Sequence, residues 1–397
     1  MKKSLLFIMP SLSSGGAEKS LVTLLALLDY ESYDADLFLF RKTGLFVSRI
    51  PSQVNVITAG EDYELFDGNI KKALKGFLKR GRPKYAIDRI RYSFALRKSG
   101  EKRDKAAWKY LSRVLPGPAK EYDAAIGYLE GTSIYYCVDK VSAKKKIGYL
   151  HTDYNRIIAQ RQMDETYFEK LDNIVGVSQK CCDILTGIFP QLSKKTTVIE
   201  NIISPKMISE MSECDAKLFD ADDDETVILT IGRLSPPKGI GNAVLACARL
   251  IEMGYRIKWY QIGTGELKAH IEELVKAKGL EKSFIMLGER ENPYPYIKQC
   301  DIYVQPSDYE GKAIAVDEVK CLKKPIVVTD FETVFDQIED GVNGIIAKKD
   351  PKDIALKIKL LIDYPERRAE LSENLGNEET GNEEELEKFC SLINNEF

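Results

Sequence analysis

Histidine is scarce in this sequence, and its scarcity excludes some kinds of site. Only two of the 397 residues are histidines, His151 and His270, so a histidine-rich metal centre is excluded by count. The eight cysteines form no Cys-x-x-Cys pair and have no histidine close to them in sequence, which argues against zinc ligation and against a disulfide framework. We therefore expect reduced thiols, as in most cytosolic proteins.

Long apolar runs are also lacking. Runs such as Leu5–Met9 fall far short of the roughly 20 residues that a membrane-spanning helix needs. The opening MKKSLLFIMP is followed by no small-residue cleavage pattern, so it predicts a first strand rather than a secretory signal. With 397 residues, of which 44% are hydrophobic and 30% charged, the chain predicts two domains of roughly 200 residues, each with its own core.

The net charge of −3 conceals two segments of opposite sign. Residues 71–120 contain 17 lysines and arginines against three acidic residues, whereas residues 366–397 contain ten acidic residues against three basic ones. The acidic segment predicts an exposed tail or helix face. In the basic segment, cations interleave with aromatic and aliphatic side chains, which predicts association with an anionic membrane surface. No nucleic-acid motif accompanies these cations, so we predict no nucleic-acid partner.

Short apolar segments alternate with longer segments of helical period, a pattern typical of βαβ units and parallel sheets. In the first half of the chain this pattern predicts strands at residues 4–9, 35–40, 54–57, 123–128, 146–150, 173–177 and 196–199. In the second half it predicts strands at residues 227–231, 257–262, 284–287, 302–305, 326–329 and 344–347.

The polar stretch 209–225, which contains the acidic run DADDDE, has no sheet-like pattern and separates the two halves. We predict one domain at residues 1–205 and a second at 206–375, with a helix at about 380–397 packed back on the first. The predicted fold class is α/β, with two Rossmann-like, doubly wound parallel-sheet domains that face a deep cleft, since such sheets bind ligands beyond the carboxyl ends of their strands. We interpret the acidic run as a solvated linker and not as a metal site.

Two glycines open a helix directly after the first predicted strand. Gly15 and Gly16 precede apolar residues at helical spacing, so both lie where unpaired N–H groups and the positive end of the helix dipole favour phosphate. Glycine also lets a phosphate approach the backbone closely. A plain tight turn is the alternative interpretation of the same two residues.

The loop GRLSPPKG follows the first strand of the second half. Gly232 and Arg233 come directly after the strand and Lys238 follows five residues later, so two cations in a proline-stiffened loop suit a diphosphate. A solvated basic loop is the alternative. Gly263, in the next strand-to-helix turn, predicts close backbone packing near the ligand, whereas His270 lies on the following helix as a surface residue.

The stretch SDYEGKAIAVDEV carries two glutamates, with Glu310 on a loop after a strand and Glu318 between one and two turns into the next helix. A carboxylate accepts two hydroxyl hydrogen bonds at once, which suits the diols of a sugar and a ribose. The diphosphate is predicted to meet the N–H groups between them, those of Gly311, Lys312, Ala313 and Ile314. Two solvated glutamates are the alternative, but Glu318 lies in an apolar run and a buried carboxylate needs a partner.

The motifs GGAEK, GRLSPPKG, GTG, EGKAIAVDE and DGVNG occur in this order. They resemble those of the retaining GT-B glycosyltransferases of the GT4 family, whose signature is Glu-x7-Glu, and the resemblance covers nearly the whole chain. It implies a cytoplasmic hexosyltransferase of bacterial capsule or exopolysaccharide synthesis, peripheral at the inner face of the membrane. The donor would be a UDP-sugar, or else a GDP-sugar, carrying a hexose or N-acetylhexosamine. The acceptor would be a saccharide or lipid-linked saccharide, and no metal or other cofactor would be required.

The resemblance also gives roles to individual residues, with acceptor bound by the first domain and donor by the second. Arg233 and Lys238 would bind the donor diphosphate, and Gly16 would approach it from the first domain. Glu310 would hold the transferred sugar, and Glu318 would hold the ribose of the nucleoside.

The stretch KKIGYLHTDYN resembles the acceptor-domain segment in which a histidine lies near the anomeric carbon. His151 is the matching residue, and Asp153 is its acceptor-side neighbour. The sequence offers no candidate carboxylate nucleophile, so the resemblance implies a front-face route in which the leaving phosphate accepts the acceptor's proton. The catalytic residues would then be those that position the donor and stabilise charge, namely His151, Arg233, Lys238 and Glu310.

The sequence departs from the family pattern around the predicted sugar pocket. Lys312 and Ala313 stand where the family often has an aromatic residue and a proline, and Phe331–Thr333 replaces a double glycine. The sugar therefore cannot be inferred by analogy. A sugar-nucleotide epimerase and a non-catalytic GT-B binding module remain alternatives, whereas a glucan phosphorylase would need a pyridoxal-bearing lysine and a much longer chain.

Overall fold

The computed structural model describes residues 2–13, 15–152, 154 and 161–396. Its contacts divide the chain into two compact units, the first comprising Met1–Ile202 and Glu384–Phe397 and the second Ile203–Glu383. The second unit thus extends beyond the predicted residue 375. Its two ends are tied together, because the Asn382 side chain accepts a 2.7 Å hydrogen bond from the Ile203 N–H.

Each unit contains one parallel sheet. The strands of the first sheet are β1 (Lys3–Met9), β2 (Tyr33–Leu39), β3 (Asn55–Thr58), β4 (Tyr122–Gly127), β5 (Ala143–Leu150), β6 (Asn173–Gly176) and β7 (Thr196–Val198). Those of the second sheet are β8 (Thr226–Ile231), β9 (Ile257–Ile262), β10 (Phe284–Gly288), β11 (Ile302–Gln305), β12 (Ile326–Thr329) and β13 (Ile345–Ala347). The orders are β3-β2-β1-β4-β5-β6-β7 and β10-β9-β8-β11-β12-β13, which are doubly wound, Rossmann-like orders.

The described α-helices lie between these strands or, from α14 onwards, after β13. In chain order they are α1 (Gly16–Leu27), α2 (Gly60–Asp67), α3 (Ile70–Lys79), α4 (Pro83–Ala95), α5 (Gly100–Leu111), α6 (Thr132–Lys140), α7 (Arg161–Phe168), α8 (Gln179–Ile188), α9 (Pro205–Ser212), α10 (Ile240–Glu252), α11 (Lys268–Ala277), α12 (Tyr294–Gln299), α13 (Ile314–Cys321), α14 (Pro351–Asp363), α15 (Pro365–Asn377) and α16 (Glu384–Asn394). The long β3–β4 connection consists mainly of the four helices α2 to α5.

The predicted α/β fold class, with two Rossmann-like parallel-sheet units, is confirmed. All thirteen predicted strands are present, and their ends differ from the prediction by at most three residues. The agreement has a physical reason that β1 illustrates, because it lies inside its sheet and is apolar on both faces. Leu5 and Phe7 pack in one core while Leu6 and Ile8 pack in the other, so a buried parallel strand reads as a continuous apolar run.

The acidic C-terminal segment ends in a docked helix. Phe389 of α16 is fully buried, and its ring stacks on that of Phe7 with centroids 5.9 Å apart. At the C-terminal end of the helix, the Lys3 ammonium donates a 2.8 Å hydrogen bond to the Asn394 side chain. Apolar positions spaced between the acidic residues therefore attach α16 to the first unit.

The polar stretch 209–225 belongs to the second unit, so the boundary lies before this stretch and not within it. Phe219 is buried and its ring lies 4.5 Å from that of Tyr260. Asp222 and Asp224 both form ion pairs with Arg256, and the two carboxylates remain largely exposed. The acidic run is thus solvated, but it is attached to the second unit on one side by aromatic packing and on the other by these ion pairs.

Among the described residues, no helix is both long enough and apolar enough to cross a membrane.

Candidate functional site

In the second unit, the loop after β8 brings Gly232, Arg233 and Lys238 to the carboxyl edge of the sheet. Arg233 is exposed, whereas Lys238 ends a short 3-10 turn and is partly buried. The Gly232 N–H donates a 2.9 Å hydrogen bond to the Ile262 carbonyl, so this loop continues the pairing between β8 and β9.

Gly263 has to be a glycine for a steric reason. Its φ is +134°, and a Cβ atom at this position would lie 2.1 Å from the Gly232 carbonyl oxygen. Any larger residue would therefore push away the backbone that carries Arg233. The backbone thus packs closely at Gly263, while the predicted nearness of this residue to a ligand stays a prediction.

Glu310 forms the centre of the predicted site. Its side chain is 8% exposed, and its two carboxylate oxygens lie 2.7 and 2.8 Å from the Lys238 ammonium nitrogen. The Ser307 hydroxyl donates to the same carboxylate at 2.6 Å, and the Gln305 amide donates to it at 3.0 Å. Charge-assisted hydrogen bonds of this kind are strong and fix the orientation of the carboxylate.

Gln305 is itself held in place from two sides. Its amide nitrogen donates to the Ser307 hydroxyl at 2.8 Å, and its amide oxygen accepts a hydrogen bond from Tyr303. Burial raises the pKa of the Tyr303 phenol well above its usual range, with Glu310 and Glu318 adding to the rise, so the phenol stays a donor. The amide orientation that serves Glu310 is therefore fixed by a neutral, buried hydroxyl.

Two contacts join the Glu310 loop to the Lys238 loop. The N–H groups of Asp308 and Tyr309 donate to the Pro237 carbonyl at 2.9 and 3.3 Å. Gly239 has φ +62°, and a Cβ there would lie 1.9 Å from the Pro306 carbonyl oxygen. The close approach of the two loops therefore needs a glycine and places Lys238 against Glu310.

Glu318 lies inside α13 and is 3% exposed. Its carboxylate accepts a 3.1 Å hydrogen bond from the Tyr294 hydroxyl at the start of α12. This buried carboxylate already accepts a hydrogen bond from a protein hydroxyl, so its environment suits acceptance of a hydrogen bond from a ligand hydroxyl in its place.

The four residues after Glu310 do not all present free N–H groups, contrary to the simple expectation. The Ala313 N–H donates to the Gln337 side chain at 3.0 Å, and the Ile314 N–H donates to the Lys312 carbonyl at 3.1 Å. A helix N-terminus satisfies its unpaired donors where it can, and here Gln337 acts as an outside cap. A diphosphate contact at Ala313 or Ile314 would require these bonds to break, whereas Gly311 is exposed.

In the first unit, Gly15 precedes α1 as its N-cap residue, and Gly16 is the first helical residue. The carboxylate of Glu18 folds back over the helix start, and a Cβ atom on Gly15 would lie 2.1 Å from its Oε2. An anion therefore lies at this helix N-terminus, as the dipole favours. The carboxylate stands where a phosphate was predicted, so the predicted phosphate contacts of Gly15 and Gly16 require Glu18 to move.

His151 follows β5 in the first unit, and its backbone N–H donates a 3.0 Å hydrogen bond to Glu130. The ring lies beside those of Tyr128 and Tyr149, at centroid distances of 5.2 and 5.9 Å. Neither ring nitrogen has a hydrogen-bond partner of standard geometry among the described residues. Burial lowers the pKa of His151 to about 4, with Glu130 and the Tyr128 backbone opposing the shift, so the imidazole is neutral near pH 7. Asp153, its predicted neighbour, lies outside the described residues.

Comparison with known proteins gives the family. Residues 214–377 match the family model described as "Glycosyl transferases group 1", and this range contains Arg233, Lys238, Glu310 and Glu318. Over these residues, which lie within the second unit, the chain is similar to GT4-like glycosyltransferases. The predicted family is therefore confirmed for this part of the second unit.

The curated relatives align with this chain over only part of their own length. The alpha-D-kanosaminyltransferase of Streptomyces kanamyceticus is 30% identical over 156 residues, which are 38% of this chain and 40% of that protein. A Campylobacter jejuni protein, N-acetylgalactosamine-N,N'-diacetylbacillosaminyl-diphospho-undecaprenol 4-alpha-N-acetylgalactosaminyltransferase, is 26% identical over 187 residues, 47% of this chain and 49% of that protein. The chain thus aligns with half or less of the length of these relatives.

A solved structure matches over the whole length. TarM of Staphylococcus aureus, crystallised as a mutant with Fondaparinux, alpha-GlcNAc-glycerol and UDP, gives a TM-score of 0.67 at 15% identity. The match covers 99% of this chain and 100% of that one, and it shows the GT-B fold.

Several residues of the candidate site were missed by sequence reasoning. Gln305 and Ser307 had a readable signal, since they are polar residues at the end of an apolar strand and directly before the Glu310 loop. Tyr294 and Gln337 had none, because each lies about 20 residues or more from its partner and reaches it only through the fold. Exposed His270 is confirmed as a surface residue.

The described residues contain no cluster of three or more histidine, cysteine or acidic side chains arranged to hold a metal ion. The acidic run 220–225 was the tempting candidate in sequence, and two of its carboxylates are engaged by Arg256.

Proposed function

We propose that this glycosyltransferase is a retaining hexosyltransferase of bacterial surface polysaccharide synthesis. It moves a hexose or N-acetylhexosamine from a nucleotide diphosphate sugar to a saccharide or lipid-linked saccharide. The observation that carries the proposal is the ion pair of partly buried Lys238 with buried Glu310 at the carboxyl edge of the second sheet. A cation and a hydroxyl-accepting carboxylate in one small site suit a sugar diphosphate, which presents phosphate oxygens beside sugar hydroxyls.

Each side of the donor has a matching group in the second unit. Arg233 and Lys238 bind the diphosphate, Glu310 accepts hydrogen bonds from the sugar hydroxyls, and Glu318 accepts them from the ribose. Glu310 keeps its bonds from Ser307 and Gln305 while one oxygen turns from Lys238 to the sugar. Arg233 is exposed and forms no ion pair with a described residue, so its guanidinium is accessible to an incoming phosphate.

Transfer with retention follows a front-face route. The bond between the anomeric carbon and the diphosphate oxygen breaks, and its electron pair leaves with the nucleoside diphosphate. The acceptor oxygen bonds to the anomeric carbon from the same face, and its proton passes to the departing phosphate oxygen. Lys238 and Arg233 stabilise the negative charge that develops on the diphosphate, so no metal ion is needed.

UDP is the proposed nucleotide, with GDP as the second choice. The complex of the similarly folded TarM with UDP supports this assignment. The acceptor side is proposed to lie at His151 and Asp153. A neutral imidazole whose buried ring nitrogens have no partner of standard geometry among the described residues can donate a hydrogen bond to a sugar hydroxyl or accept one from it.

A lipid-linked acceptor is supported by the Campylobacter jejuni relative, whose name includes a diphospho-undecaprenol. An acceptor of this kind lies at a bilayer surface, so we propose that the protein works at the cytoplasmic face of an anionic membrane. The basic segment 71–120 supports this location.

Thermal shift with UDP, GDP, CDP, ADP and pyridoxal phosphate tests the donor assignment. A ligand at 100 times its Kd stabilises the native state by about 2.7 kcal/mol. We expect a shift with UDP for the wild type and for Glu273→Ala, an exposed glutamate on α11, but not for Glu318→Ala. The proposal would be contradicted if pyridoxal phosphate alone shifted the thermal midpoint, or if none of the nucleotides did.

A second assay separates the alternatives. Incubation with a UDP-sugar and a lipid-linked saccharide should release UDP and give a product with the donor's anomeric configuration. Donor isomerisation without UDP release would instead indicate an epimerase. Nucleotide binding without turnover of any donor would indicate a binding module.

A further inference from the structure

Helix α4 presents three large apolar side chains outward and buries two charged side chains. On its outer face Ile87, Ile90 and Phe94 are 48%, 38% and 59% exposed. On its inner face Asp88 and Arg89 are only 4% and 9% exposed. An ordinary surface helix of a globular protein has the opposite arrangement.

The inward charged side chains have specific partners, which fix the orientation of α4. Asp88 accepts a 2.7 Å hydrogen bond from the Arg113 guanidinium. Arg89 donates to the Gly68 carbonyl at 3.0 Å and to the Ser93 hydroxyl at 2.5 Å. A rotation that buried the apolar face would break these bonds and expose the polar partners. The outward apolar face is therefore built into the first unit.

The apolar side chains form one stripe. Positions 87, 90 and 94 follow i, i+3 and i+7 spacing, which places them within about 60° of one another around the helix and over about 10 Å along it. Leu78, at the end of the neighbouring helix α3, is 62% exposed, and Leu96, directly after α4, is 43% exposed. These are the large hydrophobic side chains exposed in the described part of the first unit, and all of them lie between residues 78 and 96.

Cations surround this stripe. Lys84, Arg91, Arg97 and Lys98 are exposed on or directly after α4. The Arg97 guanidinium carbon lies 5.2 Å from the centre of the Phe94 ring. Lys84, Arg97 and Lys98 form no ion pair with a described residue, so their charge faces solvent uncompensated.

We propose that the outer face of α4 is a membrane-docking surface, with Ile87, Ile90 and Phe94 inserted among the acyl chains of an anionic bilayer and the flanking cations against its headgroups. The exposed isoleucines favour a bilayer over a nucleic acid as the binding partner. Nucleic acids are bound by cations and by aromatic rings on which bases stack, and aliphatic side chains contribute to neither interaction. The charge favours a bilayer over a second copy of the chain, because two such faces would bring like charges together. The inference rests on the proposed function for its biological purpose, but the binding itself requires neither donor nor acceptor.

Insertion and purely electrostatic adhesion differ in their salt dependence. Charge attraction is screened by salt, whereas apolar burial is not. Co-sedimentation with phosphatidylglycerol vesicles should therefore fall as salt rises but reach a residual level. Phosphatidylcholine vesicles should bind the protein poorly at any salt.

Substitution on the stripe tests the insertion directly. We expect Phe94→Ser to weaken binding to phosphatidylglycerol vesicles roughly tenfold and to abolish the residual binding at high salt. Leu356→Ser is the matched control, since Leu356 is a 44% exposed leucine on α14 of the second unit, and it should leave binding unchanged. Both positions are exposed, and an unchanged thermal midpoint verifies that each variant is folded.

A tryptophan reporter gives an independent reading. The two native tryptophans are buried, Trp108 at 5% exposure and Trp259 at 0%, so the emission of an added Phe94→Trp changes against a steady background. Insertion predicts a blue shift with phosphatidylglycerol vesicles and quenching by brominated acyl chains. Vesicle binding without a blue shift, or unchanged binding of Phe94→Ser, would overturn the proposal. So would self-association of the wild type that Phe94→Ser abolishes.

Because these measurements omit donor and acceptor, they separate the two claims. Membrane docking without transferase activity would leave the docking surface standing and refute the proposed function. Transfer to a soluble acceptor without vesicle binding would do the reverse.

Discussion

The Lys238 ammonium is chelated by both carboxylate oxygens of Glu310, at 2.7 and 2.8 Å, although 72 residues separate them in the chain. One partner follows β8 and the other follows β11, and these strands are neighbours in the second sheet. The carboxyl ends of adjacent parallel strands bring both loops to the same edge. The pair thus couples the predicted diphosphate site to the predicted sugar site.

Removing one partner of this pair should lower stability. In Lys238→Ala, Glu310 keeps its bonds from Ser307 and Gln305 but loses its counter-charge in a buried position. Because the Lys238 side chain is 28% exposed, we expect the free energy of unfolding to fall by about 2 kcal/mol, below the full value for a buried pair. Urea denaturation measures the change. Lys268→Ala removes an exposed pair with Glu272 and should change it by less than about 0.5 kcal/mol.

The double variant Lys238→Met/Glu310→Gln completes the comparison. It removes both charges, so it should recover part of the stability that Lys238→Ala loses. Donor binding should be absent in both variants. Recovery of UDP binding in the double variant would argue against a diphosphate contact by Lys238.

Gly263→Ala should damage the site through the backbone. The added Cβ would lie 2.1 Å from the Gly232 carbonyl oxygen, and the φ of +134° is unfavourable for alanine. We expect a loss of about 2 kcal/mol or more in the free energy of unfolding, together with weaker UDP binding. Gly241→Ala on α10 meets no atom within 4 Å and should be neutral or stabilise by up to about 1 kcal/mol. Equal effects of the two substitutions would refute the steric explanation.

His151 should make the protein sensitive to acid. Its folded pKa of about 4 lies below the ordinary value of 6.5, so between these pH values the unfolded state binds a proton that the folded state does not. The free energy of unfolding therefore rises with pH in this window and is lost as pH falls from about 6.5 towards 4. Carboxylates titrate in the same window, so the comparison with a variant isolates the histidine. We expect His151→Asn to show a shallower loss.

The other histidine is the control for this experiment. His270→Asn changes an exposed side chain on α11 and should follow the wild-type stability curve. If the free energy of unfolding of His151→Asn depends on pH in the same way as that of the wild type, the His151 imidazole is not held in its neutral form by burial.

Transfer should proceed without a divalent metal ion. In the proposed mechanism, Arg233 and Lys238 supply the positive charge that stabilises the departing diphosphate. We expect full initial rates in excess EDTA, measured as UDP release with a lipid-linked acceptor. Strict dependence on added Mn²⁺ or Mg²⁺ would contradict the front-face mechanism as proposed here.

The last helix should contribute to the stability of the first unit. Phe389→Ala deletes a fully buried ring that stacks on Phe7, and such deletions cost about 3 kcal/mol or more. Thermal or urea unfolding should show this loss, whereas Glu387→Ala on the exposed face of α16 should have little effect. A negligible loss in Phe389→Ala would mean that α16 is only loosely attached.

The strands were predictable because the signal for a strand is local. A parallel strand with helices on both faces must be apolar along its length, and β1, β8 and β12 show this directly in sequence. The segment 71–120 could be recognised from the sequence as basic and amphipathic, but the sequence did not show which face of its helices is buried. Which face of α4 is buried depends on Arg113 and Gly68, which meet Asp88 and Arg89 only after the chain folds.

The candidate site divides in the same way. The sequence by itself determined the strand ends that precede Arg233, Lys238 and Glu310, and the helix that carries Glu318, because chain order and apolar pattern fix where each parallel strand stops. Only the tertiary structure decided which groups these residues meet. Tyr294 beside Glu318, Gln337 on the Ala313 N–H and the outward stripe of α4 all depend on contacts between segments distant in the chain. Such contacts arise from packing in three dimensions and leave no periodic trace in the sequence.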